Sequence, residues 1–158
     1  MPRFRQILLI TTFLPLCWYL MMAVHELGHV IGAKMSNGTV TKVVLHPLAI
    51  SRTDVQPNSS PGIVVWAGPI FGCTLPLGIF FISHLFRNPL HYLVRFFTAF
   101  CFVANGAYIG FGSFDAIGDA GTMLKSGSPF WCLLLFGMLT IPVGFWLWNG
   151  QGLSLIHI

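Results

Sequence analysis

The stretch Gln6–His29, QILLITTFLPLCWYLMMAVHELGH, runs without charge from Gln6 to His25 and closes on His25-Glu26-Leu27-Gly28-His29, an H-E-x-x-H motif. An uncharged apolar run of about 20 residues is long enough to cross a bilayer as a helix. On a helix, residues four apart differ by about 40° in direction, so His25 and His29 point the same way. Two imidazoles on one helix face can share a metal ion, and zinc is the usual occupant of such a pair. Glu26 lies about 100° further round the same turn. That direction places its carboxylate beside a metal-activated water, as a base, and outside the ligand set.

Chance produces H-E-x-x-H patterns in soluble helices. The setting here is different. The chain has four acidic residues and six histidines, and one acid stands between two histidines at the end of an apolar span. Ionisable groups are costly in such a place, and a cluster of them points to function.

Composition agrees with a membrane location. Of 158 residues, 55% are hydrophobic and 8% charged, with a mean hydropathy of +0.78. Soluble domains carry about 25% charged residues. The sequence therefore predicts an all-α integral membrane protein of about four transmembrane helices, forming a single domain over residues 1–158. The net charge of +4 comes from eight scattered basic residues. They form no basic block interleaved with aromatics, which argues against nucleic acid as a partner. Cys17, Cys73, Cys101 and Cys132 sit in apolar runs without a C-x-x-C pair and read as small buried side chains.

The expected spans are Ile7 to Lys34, Gly62 to Phe86, Leu90 to Phe111 and Phe130 to Trp148. The first resembles a signal peptide, but Trp18–Met22 offers no small-residue cleavage site, so a retained helix is expected, kinked at Pro15. Ser36-Asn37-Gly38 is a stop signal. Thr39–Leu45 is β-branched and reads as a short strand between the first two helices, followed by a turn-rich Asp54–Pro61. His46, before a proline, reads as an ordinary loop histidine. Ala67-Gly68-Pro69 and Gly72 are small residues that allow close helix contact. Arg95 is expected to reach back to the interface. Asn105, deep in the third span, needs a partner, either on another helix or at the site, where it is also a candidate substrate-binding residue. The tail Leu153–Ile158 reads as a translated adapter remnant, so His157 carries no functional expectation.

Counting spans gives a test of the metal reading. The first helix delivers His25 and His29 to the face opposite its start, roughly 28 Å away at about 1.5 Å per residue. Two more crossings bring the segment Asp115–Gly121 to that same face. A catalytic zinc needs a third protein ligand and an open position. Asp119 or Asp115 can provide the ligand without crossing the bilayer. The plainer role for Asp119 is a helix N-cap before Ala120–Lys125.

Taken together, H-E-L-G-H in the first helix, A-G-P in the second and Gly118-Asp119-Ala120-Gly121 after the third resemble the site-2 protease (M50) family of intramembrane zinc metalloproteases, in its M50B-like branch. The resemblance covers about Leu20 to Trp131 and rests on three short motifs. It implies hydrolysis of peptide bonds in or near transmembrane segments of membrane-protein substrates, in a prokaryotic cell membrane. It implies Zn2+ on His25, His29 and Asp119, with Glu26 as general base. The sequence departs from the family's Asn-x-x-Pro and Leu-Asp-Gly pattern, since Asn105 is followed by Gly106-Ala107-Tyr108 and Asp119 lies fourteen residues on. Asp115 is nearer the usual spacing and stands as the alternative third ligand. A shielded helical peptide bond must unwind before attack, and Thr39–Leu45 is a candidate strand for pairing with it. The main rival is a non-catalytic membrane protein that keeps a metal site for assembly. A transporter is a weaker one, because no internal repeat is visible.

Overall fold

The computed structural model describes residues 2–46, 48 and 50–149. The Leu153–Ile158 tail and Pro47 lie outside them. The element order is α1 (Pro2–Met35), β1 (Val40–Val44), β2 (Arg52–Val55), α2 (Pro61–Leu85), α3 (His91–Asp115), α4 (Gly118–Lys125) and α5 (Phe130–Trp148). Helices α1, α2, α3 and α5 are each long and apolar enough to cross a membrane. Their outward side chains are large and apolar, among them Leu8, Ile10, Ile70, Phe81, Met138 and Phe145, as a lipid-facing surface requires.

Helix α1 continues through Pro15 and ends where the sequence signals. Asn37 takes a left-handed conformation (φ 58°), the Gly38 amide bonds the Ala33 carbonyl at 2.7 Å, and the Asn37 amide bonds Lys34 at 3.4 Å. This pair of bonds is the Schellman arrangement, with Asn in the position more often held by Gly. The chain then forms an antiparallel hairpin in which Lys42 faces Asp54, Val43 faces Thr53 and Val44 faces Arg52. The second strand takes Asp54 and Val55 from the expected turn-rich segment, because their amides and carbonyls find partners in β1.

Small residues set the helix spacing. A Cβ on Gly28 would overlap Ala67 and Gly68 of α2, and one on Gly32 would meet the Ala67 side chain at 2.6 Å. Helices α1 and α2 therefore cross in backbone contact, antiparallel, at the level of the histidine motif. Thr98 of α3 donates to the Pro76 carbonyl of α2 at 3.0 Å, within a helix that runs on through Pro69 and Pro76. Arg95, expected to reach back to the interface, has partners on another helix. Its guanidinium donates to the Leu147 and Asn149 carbonyls, each at 2.8 Å, and caps the end of α5.

Helix α3 runs four residues past its expected end at Phe111, so Asp115 is its last residue and not part of a loop. Ala116 (φ 50°) and Gly118 (φ 55°) then turn the chain sharply into α4. Ala120 and Met123 of α4 are fully buried with Val65, Ile109 and Leu133, which fixes the short helix against α2, α3 and α5. Trp66 of α2 donates to Ser128 at 2.9 Å and holds the segment after α4. This cluster positions Asp119, the residue before Ala120.

Candidate metal centre

His25 and His29 are each 5% exposed, on the face of α1 that meets α2 and α3. The His29 Nδ1 donates to the Val64 carbonyl at 2.8 Å. A carbonyl can only accept, so the proton of that ring is on Nδ1. The His25 Nδ1 donates to Asn105 Oδ1 at 2.6 Å, and Asn105 Nδ2 donates to the Cys101 carbonyl at 2.9 Å, which fixes the amide's orientation. Both Nε2 atoms therefore face inward. They lie 3.0 Å apart, with Asp119 Oδ2 2.7 Å from His25 and 3.2 Å from His29.

Two imidazole nitrogens and a carboxylate oxygen at this distance repel unless a cation, either a proton or a metal ion, lies between them. Zinc ligands at roughly 2.0–2.2 Å in a tetrahedron stand about 3.3 Å apart. The observed triangle is a few tenths of an ångström tighter, and the donors are of the types zinc takes. The residues fit the ion. Supporting carbonyls on both outer nitrogens are the usual way ligand imidazoles are oriented.

The Asp119 carboxyl responds to the same neighbours. Burial alone would push it up, but with a proton on the inward nitrogens the hydrogen bonds and charge of His25 and His29 outweigh burial and hold it well below the usual carboxylate range. Asp119 occupies the second position of α4, inside the helix, and Ile117 is the cap residue. Its side chain makes no capping bond and turns to the histidines. Asp115 is exposed at the end of α3, and among the described residues no hydrogen bond or ion pair joins it to either imidazole. His46 is exposed and accepts from the Leu48 amide at 3.2 Å.

Glu26 is 2% exposed. The ligand-type atoms of His25, Glu26 and His29 lie within 4.8 Å of one another. Asp119 Oδ2 is in contact with both Nε2 atoms, and Glu26 lies beside them as a further carboxylate within reach of a shared ion. Glu26 is held by the hairpin, since the Thr53 hydroxyl donates to its Oε2 at 2.6 Å.

Gly68, from the A-G-P segment, has a specific reason to be glycine. A Cβ there would overlap the His29 ring and come within 2.9 Å of His25 Nε2. Gly72, one turn on, leaves the space that Asn105 fills.

Two cavities meet at the site. One, of about 650 Å³, is mostly apolar and reaches Glu26, His25 and Asn105 past Trp18, Met21 and Met22. The other, of about 670 Å³, is more polar and reaches His29 and Asp119 along residues 50–56. Ile50, Ser51 and Tyr108 line both. The strand residues on the cavities are chiefly those of β2, with Thr41 alone from β1. Thr53 and Tyr108 are neighbours of the site that the sequence did not suggest. Tyr108 follows Asn105 by three residues and so shares its helix face, whereas nothing local marks Thr53.

Comparison of the chain with protein-family models, with curated proteins and with solved structures gives no match in any of the three.

Proposed function

We propose that this chain is an intramembrane zinc metalloprotease, hydrolysing peptide bonds in or near the transmembrane segments of membrane proteins in a prokaryotic cell membrane. One observation carries the reading. The inward Nε2 atoms of His25 and His29 converge with Asp119 Oδ2, and Glu26 stands beside them, buried and held by Thr53. His25, His29 and Asp119 would hold the zinc. When bound, the ion supplies Lewis acidity, polarising the scissile carbonyl and making a water acidic at neutral pH.

The chain's own residues do the rest. Glu26 takes a proton from the attacking water and passes it to the leaving amine. The Thr53 hydroxyl keeps one carboxylate oxygen in place and leaves the other for that transfer. Asn105 and the Val64 carbonyl hold the imidazoles in one tautomer. The apolar cavity suits side chains of a membrane segment, and the polar one suits its unwound backbone. Residues of β2 line the polar cavity, with Thr41 alone from β1, which favours β2 over the rest of Thr39–Leu45 as the strand that pairs with substrate.

A metal site kept only for assembly needs ligands but no base, and would close its fourth position. A buried carboxylate that opens to a cavity beside the ligands favours the enzyme. The test is Glu26→Gln in the full chain. Retained zinc with cleavage of a transmembrane peptide reduced by roughly 10²–10⁴-fold supports the proposal. Undiminished cleavage overturns it.

A further inference from the structure

We propose that the Tyr108 hydroxyl is a catalytic donor that stabilises the oxyanion formed when a peptide carbonyl is attacked in this site. The inference rests on the proteolytic reading above.

Tyr108 stands on α3 one turn beyond Asn105. Its ring meets His25 edge-on, with centroids 5.9 Å apart and planes at 71°. It lines the apolar and the polar cavity alike. A tyrosine hydroxyl has one proton to give and two lone pairs to offer. Its oxygen accepts from the Asp119 amide at 3.2 Å. Among the described residues nothing accepts its proton.

Most donors bonded to the histidines or Glu26 are committed elsewhere. Asn105 gives one of its two amide protons to the Cys101 carbonyl, and Thr53 gives its proton to Glu26. Both Nδ1 protons go to oxygens. Tyr108 keeps its own.

The turn before α4 is shaped around this hydroxyl. Gly118 has a positive φ of 55°, and a Cβ there would run into Tyr108 Oη. Glycine at 118 lets the backbone pass close enough for the Asp119 amide to reach the phenol oxygen. The hydroxyl is thus held by an N–H donor in an orientation that leaves its proton for a third party. Donors fixed in advance act on developing charge without reorganising.

In the reaction, the water oxygen bonds to the carbonyl carbon while Glu26 takes one water proton. The carbonyl π pair moves onto its oxygen, and that oxyanion accepts a hydrogen bond from Tyr108 without proton transfer. Collapse restores the C=O and breaks the C–N bond. The proton held by Glu26 goes to the departing amine, and two neutral-chain fragments result with Glu26 ionised again.

The experiment compares wild type, Tyr108→Phe and Glu26→Gln as full chains in detergent. It reads kcat and KM on a quenched fluorogenic leucine-rich transmembrane peptide, zinc per chain, and affinity for a phosphinate version of that peptide, whose tetrahedral anion imitates the intermediate. The expected result for Tyr108→Phe is a kcat lowered roughly 10²-fold, with KM and zinc within twofold of wild type and phosphinate affinity lowered in proportion to kcat. A kcat within threefold of wild type overturns the inference. So does a loss that tracks zinc, which would make Tyr108 a prop for Asp119. If Tyr108→Phe does not fold, difluorotyrosine placed at 108 keeps the ring and is a stronger donor. It should tighten phosphinate binding at unchanged zinc, and unchanged affinity overturns the inference. Cleavage undiminished in Glu26→Gln, or absent in zinc-loaded wild type, sinks the proteolytic reading and this inference with it. Failure of Tyr108→Phe alone leaves that reading standing.

Discussion

The hydroxyl of Thr53, on the second strand of the hairpin, donates to the buried Glu26 carboxylate across 2.6 Å. This bond joins a polar element outside the helices to the acid at the centre of the site. It satisfies one oxygen of a charge that would otherwise be costly where it lies. Thr53→Val keeps the shape and removes the donor. The expected outcome is cleavage lowered roughly 10- to 100-fold, in line with the loss of one hydrogen bond to a charged group at about 1.5–3 kcal/mol. Zinc content should stay as in wild type, as metal analysis beside a peptide-cleavage assay would establish.

Asn105 is buried at 1% exposure and divides its amide between His25 and its own helix. Replacing it with Leu removes the acceptor for the His25 Nδ1 proton and frees the ring to take the other tautomer. Outer-sphere partners of this type typically carry a 10- to 100-fold effect on metal affinity, about that expected here. Competition with a zinc chelator measures it. Equal affinity in Asn105→Leu and wild type would remove Asn105 from the site's support.

Gly68 faces the imidazole pair so closely that even one methyl group has no room. Gly68→Ala must move the rings, the helices or both, at a cost of about 1–3 kcal/mol, as for other overpacked interiors. Gly78, where a Cβ meets nothing within 4 Å, is the control on the same helix. Thermal unfolding in detergent should show Gly68→Ala less stable than Gly78→Ala, with the larger loss of zinc affinity.

Asp119 gives a pH prediction with a definite sign. Its carboxyl is held below the ordinary value of 3.8 in the folded protein. A depressed group contributes stability that is present above the unfolded value and lost as pH falls through the folded one. Asp119 is therefore ionised throughout the neutral and mildly acidic range. Metal ligands bind deprotonated, so zinc retention measured against pH should fall on acidification even while Asp119 stays ionised. Asp119→Asn should weaken binding at every pH without removing that fall.

The fold was largely legible because the apolar spans are long and the breaks between them are polar or rich in Gly and Pro. Helix α5 begins and ends at the expected Phe130 and Trp148. Helix α3 overran because Gly112–Asp115 keeps helical hydrogen bonding until Ala116 adopts the left-handed conformation, a choice set by the packing of α4. In the site, the His25–His29 pairing follows from helical spacing, and the nearness of Asp119 follows from counting crossings. The choice between Asp119 and Asp115 was not local. It depends on a turn of two residues with positive φ and on the burial of Ala120 and Met123, which point one aspartate inward and leave the other exposed. Thr53 meets Glu26 from 27 residues away through a hairpin register that no short motif encodes.

The most direct measurement is the metal content of detergent-purified protein, with wild type beside His25→Ala, Asp119→Ala and Asp115→Ala. The account predicts about one zinc per chain in wild type, as a three-ligand site implies. It predicts the zinc kept in Asp115→Ala and lost in the other two. Zinc kept in Asp119→Ala and lost in Asp115→Ala would contradict the third ligand, and no zinc in metal-replete wild type would contradict the centre itself.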